Sequence, residues 1–254
     1  MKNNLNKTLP FLLPIRCVIF TLIFIIASFI TGKNLNEITS IWSIVASAIN
    51  IFLILLLVLI TRNNGGYKKI INYEKGKTTA KQIILMIIIV ITVGMSGMYL
   101  AGFICYGKIP YLAPMMIAPI PLWLAIINFF VLPITTAIAE DGLYLGCGVN
   151  QIKNKTAAII VPAFFFALQH SFIPVLLDWK HIVYRFLSFL PLTILLCIHY
   201  RKHRNPLPIM IGHAVIDVFT VAWILATSIS PSFYEMLKEN EAVLMYLPEA
   251  SFLI

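Results

Sequence analysis

The chain has 254 residues, of which 60% are hydrophobic and 11% charged, whereas an ordinary soluble domain carries about 25% charge. That balance excludes a soluble fold. The net charge of +9 does not point to nucleic acid, because most basic residues lie in short loops beside apolar runs, where they set membrane orientation.

Apolar runs of roughly 20 residues recur along the sequence, the length that crosses a hydrocarbon core about 30 Å thick. Stretches such as Ile51 to Ile60 do not alternate in polarity as barrel strands would. The sequence therefore predicts an all-α, polytopic membrane bundle of about seven transmembrane helices. A first span at 9–31 has Lys2, Lys7 and Arg16 around its start, and it is too long for a signal-peptide core, so it reads as retained. After a second span at 41–61, the connection 62–81 carries Arg62, Lys68, Lys69, Lys75, Lys77 and Lys81, which assigns it to the cytoplasm. The third span, 82–104, leads into Pro110, Pro114, Pro119 and Pro121, with Pro133 inside the fourth span at 121–149. A kinked or partly re-entrant segment is expected there. Three more spans follow at 156–175, 182–200 and 207–230. Counting sides from the basic connection places the N-terminus in the cytoplasm, and of the 19 Lys and Arg only Lys33, Lys108, Lys180, Arg185 and Lys238 fall outside. The expected location is the cell membrane, multi-pass. The chain divides into three peripheral helices (1–120), a four-helix core (121–230) and a tail (231–254). Cys17, Cys105, Cys147 and Cys197 stand singly without metal-ligand spacing and read as buried thiols.

Ionisable groups within apolar spans cost several kcal/mol by insertion scales and normally face the protein interior with a partner or a task. Glu140 and Asp141 lie in ITTAIAEDGLYLG, His170 in FFFALQHSF, and His213 and Asp217 in IGHAVIDVF. At 1.5 Å per residue, Glu140 lies ~20 Å from Lys153, His170 ~22 Å from Lys155, Asp217 ~20 Å from Arg204 and His213 ~14 Å from Arg204. Three helices thus place these groups near one plane, as a shared polar site requires. A lone intramembrane His or Asp can instead be a packing device worth roughly 1 kcal/mol, but agreement in depth across three helices favours a site. His181, His199 and His203 sit at span ends and read as interfacial.

At these residues the sequence resembles the CAAX protease and bacteriocin-processing family, also called CPBP or Abi, defined by EExxxR, FxxxH and HxxxN or HxxxD motifs in this order. Phe166 to His170 and His213 to Asp217 match the second and third. The first is altered: Glu140 is kept, Asp141 replaces the second Glu, and Leu145 replaces the Arg. The resemblance covers about 121–230. It implies Glu140 as the general base activating water, His170 as the group orienting that water, and His213 with Asp217 as the pair polarising the carbonyl. Asp141 joins this catalytic set and Phe166 is assigned to the substrate pocket. An ionised Asp217 cannot donate to an oxyanion, so it is either protonated or orients His213. Glu140, His170 and His213 also form a His2Glu set of the kind that holds catalytic zinc or another divalent metal. The metal-free form is preferred because no HExxH-type pair is present.

The resemblance implies cleavage of a membrane-associated peptide or protein in the lipid bilayer, of the bacteriocin- or peptide-maturation or self-immunity type, with the site reached from the cytoplasmic half. The altered first motif keeps a second reading open, a catalytically degenerate member that binds a membrane partner such as a sensor kinase or a cell-wall enzyme. A proton-coupled transporter would use the same residue types as a relay, but no internal repeat is visible.

Overall fold

The computed structural model describes residues 8–108 and 114–246; Lys2, Lys7, Pro110 and Glu249 lie outside the described residues. The chain folds as an all-α bundle of α1 (Ile15–Thr31), α2 (Trp42–Thr61), α3 (Ala80–Tyr106), α4 (Leu122–Asp141), α5 (Ala157–His170), α6 (Trp179–His203), α7 (Leu207–Ile229) and α8 (Pro231–Tyr246). A π-helical stretch, Gly142–Val149, continues α4. Among the described residues six helices are long and apolar enough to cross a membrane, and these are α1 to α4, α6 and α7 with their flanking turns. The protein is multi-pass.

Local sequence explains the helix ends. Thr79 and Gln82 form a reciprocal capping box at the start of α3. Asp178 caps α6 by accepting from the amides of Lys180 and His181, and α6 closes on Arg201, Lys202 and His203, cations suited to the negative end of the helix dipole.

The fifth expected span differs. α5 has 14 residues, about 21 Å, short of a core about 30 Å thick. The apolar run continues, but the backbone turns after His170 because Arg185 of α6 takes over the helix-end carbonyls. Its Nε donates to the His170 carbonyl at 3.2 Å and its Nη2 to that of Ile173 at 3.1 Å.

In the bundle α4 lies against α2 and α7, α3 lies against α6 and α7, and α5 packs on α6. The α3–α6 crossing is close: a Cβ on Gly97 would stand 2.5 Å from the Ser188 carbonyl oxygen. The proline-rich approach to α4 is tucked in as well. Pro114–Ile117 forms a 3-10 turn, the Ile117 carbonyl accepts from Thr227 at 2.7 Å, and that of Met116 accepts from the Trp42 indole at 3.3 Å.

Two apolar clusters fill the interior. One gathers Leu13, Leu57, Ile70, Leu145 and Tyr200 near the end that carries the basic connections. The other gathers Phe24, Trp42, Ile117, Ile173 and Ile224 toward the far end. The basic connection is fastened rather than loose: Asn150 donates to the Ile70 carbonyl at 2.6 Å, and Asn72 donates to Asn150 and to Tyr200. Cys17, Cys147 and Cys197 are buried as expected, while Cys105 is only partly so. His181, expected at an interface, is buried.

Candidate active site

Glu140 and Asp141 close the regular part of α4, and both are buried. Immediately beyond them the helix widens into its π-helical stretch, a distortion frequent at functional sites. Tyr67, from the basic connection, secures this transition: its hydroxyl donates to the Ile138 carbonyl at 2.5 Å. Its ring lies so close to Gly142 that a Cβ there would come within 2.6 Å of Cε2. Only glycine permits that contact.

Both oxygens of Glu140 are held. Oε1 pairs with Nη2 of Arg16 on α1 at 2.8 Å, and Oε2 accepts from the Gln169 side-chain amide at 2.6 Å. Gln169 is itself fixed, since its carbonyl oxygen accepts from Tyr144 at 3.0 Å. Arg16 also donates to Asn50 of α2, which donates in turn to Thr136 of α4 at 2.9 Å. Helices α1, α2, α4 and α5 therefore fix one carboxylate.

The two histidines face the same oxygen. His213 Nε2 lies 3.7 Å and His170 Nε2 3.9 Å from Glu140 Oε2, beyond direct hydrogen bonding and within reach of a bridging water. On its other side His213 presents Nδ1 to Asp141 Oδ1 at 3.4 Å. Asp217 Oδ2 stands 3.9 Å from His213 Nε2. The His170 ring stacks on Phe189 with centroids 3.6 Å apart, and Arg185 grips its backbone carbonyl. Glu140, Asp141, His170, His213 and Asp217, singled out from the sequence, are thus brought together.

A cavity of about 360 Å³ opens from this cluster, within the range of small-molecule and side-chain pockets. Glu140, His170 and Asp217 form its polar floor, and Met95, Met98 and Ile216 are among its apolar walls. Trp42, Met116, Tyr184 and Trp223 carry it toward the far end of the bundle. The expectation of access from the basic, cytoplasmic-assigned half is therefore corrected: the cavity extends the other way. Phe166 is corrected too. It does not line this cavity but lies behind the histidines, 2% exposed and stacked on Tyr144 at 4.5 Å.

Arg16, Gln169 and Arg185 escaped the sequence reading. Arg16 stands in apolar surroundings seven residues into the predicted first span, which was the signal available, but it read as one more orientation cation. Gln169 is uncharged and adjoins His170, so nothing marked it.

Among the described residues no three His, Cys, Asp or Glu side chains are grouped to hold a metal ion, and the Glu140 oxygens are engaged by a guanidinium and an amide N–H. What the site offers is a buried carboxylate beside two imidazoles, the equipment of general acid–base chemistry.

In comparison with known proteins, residues 121–219 match the family model described as type II CAAX prenyl endopeptidase Rce1-like. No curated protein and no solved structure matches the chain.

Proposed function

We propose, on the match of residues 121–219 to the family model described as type II CAAX prenyl endopeptidase Rce1-like, that this chain is an intramembrane endopeptidase working through a water activated by Glu140. The observation that carries the reading is the position of Glu140 Oε2, with the Nε2 atoms of His213 and His170 at 3.7 and 3.9 Å. One water held among these three atoms can give its proton to Glu140 while its oxygen bonds to the peptide carbonyl carbon. Breaking the C–N bond then returns that proton to the departing amine.

His170, pinned by Phe189 and Arg185, orients the water. His213 directs Nε2 at the carbonyl oxygen and stabilises the charge that develops there, with Asp141 on Nδ1 fixing its ring. Asp217 Oδ2 stands 3.9 Å from the same Nε2, beyond direct hydrogen bonding; of the two roles open to it, the protonated acid that donates to the oxyanion fits this position, because an ionised carboxylate there would repel the developing charge. No metal ion takes part in this scheme. The substrate is a membrane-associated peptide or protein, with peptide maturation or self-immunity as the setting. Its chain enters from the apolar cavity, whose walls suit aliphatic side chains. The degenerate, partner-binding alternative is disfavoured by the ion pair on Glu140, since a scaffold has no use for a buried carboxylate with so many dedicated partners.

The test is incubation of the purified protein, beside Glu140→Ala and His170→Ala, with membrane peptide extracts of its host. Wild type alone should produce new fragments, with a loss of roughly 10²- to 10⁴-fold in each variant. Absence of cleavage, with a normal cellular phenotype for both variants, would sink the protease reading in favour of partner binding.

A further inference from the structure

We propose that Arg16, on a helix outside the matched region, is a positioning residue for Glu140 and supplies the cation that the first motif lacks. The proposal rests on Glu140 acting as the base. Leu145, where that motif would carry Arg, is fully buried within the apolar cluster at the basic end. A guanidinium reaches the site from α1 instead.

Three observations support a dedicated role. Arg16 is 1% exposed and occupies the first turn of α1, where burial and the positive end of the helix dipole both disfavour a cation. Glu140 is the one carboxylate that pairs with it among the described residues. The chain Arg16, Asn50, Thr136 then returns to α4 one turn before Glu140, closing a ring across α1, α2 and α4. This ring fixes the carboxylate through Oε1 and leaves Oε2 turned toward the imidazoles. Packing alone would not need such a ring, because a leucine at position 16 could fill the same space without burying charge.

Arg16 also lines the cavity, so a small cation can take its place. The experiment uses the full chain in proteoliposomes and one peptide that wild type cleaves, resynthesised. Arg16→Ala should lose about 10²-fold or more, mainly in kcat. Arg16→Lys should retain part of the activity, and added methylguanidinium should restore Arg16→Ala but not Glu140→Ala. Activity of Arg16→Ala within a few-fold of wild type, or no rescue in a folded variant, would overturn the proposal. If Arg16→Ala does not fold, melting of Arg16→Gln, Glu140→Gln and the double variant decides: coupled losses support the pair, and additive losses overturn it. A wild type that cleaves nothing removes the protease reading and the positioning role with it, while the melting cycle still reports separately whether the pair exists.

Discussion

Substituting Gly142 with alanine tests how the motif helix is held in its π-helical form. The added Cβ would sit 2.6 Å from Tyr67 Cε2 and 2.7 Å from its hydroxyl oxygen, whereas carbon atoms in good contact stand about 3.5–4.0 Å apart. The ring must therefore retreat by about 1 Å. That movement breaks the bond from the Tyr67 hydroxyl to the Ile138 carbonyl, now 2.5 Å long, at a cost of about 1 kcal/mol. Overpacking adds about 1–3 kcal/mol, for a total of about 2–4 kcal/mol. The assay is reversible unfolding in detergent of Gly142→Ala, Tyr67→Ala and the double variant. Once the ring is gone the glycine should matter little, so the double variant should resemble Tyr67→Ala. Equal costs for Gly142→Ala with and without Tyr67 would refute the reasoning.

Two further outcomes are expected. Gln169→Leu removes the amide that donates to Glu140 Oε2 at 2.6 Å, a bond to a charged group worth about 1.5–3 kcal/mol, and should lower both melting temperature and kcat; unchanged kcat in this variant would remove Gln169 from the site. Prolonged dialysis against a strong chelator should leave cleavage unaffected, as expected of a water activated by Glu140 alone, and activity lost on dialysis and regained with zinc would reverse that assignment.

Much of this architecture was legible because a bilayer imposes simple rules. Apolar length marked the spans, and α2, α4 and α7 begin within a residue of expectation at Trp42, Leu122 and Leu207. Similar depth in three helices pointed to a meeting of Glu140, His170, His213 and Asp217. Depth says nothing of rotation about a helix, however, so the lateral partners stayed hidden. Arg16 and Glu140 are far apart in sequence and join through a tertiary contact that no local pattern encodes. The end of α5 was illegible for a related reason. Residues 171–175 are apolar enough to continue a span, and it is Arg185, from the next helix, that satisfies the carbonyls and lets the chain turn.

The shortness of α5 bears on how the proposed hydrolysis could work inside hydrocarbon. A 14-residue helix falls about 9 Å short of the usual bilayer core, and a lipid layer adjusts to a short segment by thinning beside it. His170 ends that helix. Thinning of that kind would bring headgroups and the water among them closer to the imidazole on the side to which the cavity leads. The same short helix that departs from a regular crossing would then give the proposed hydrolysis a supply of its second substrate, water, in a solvent that otherwise holds almost none.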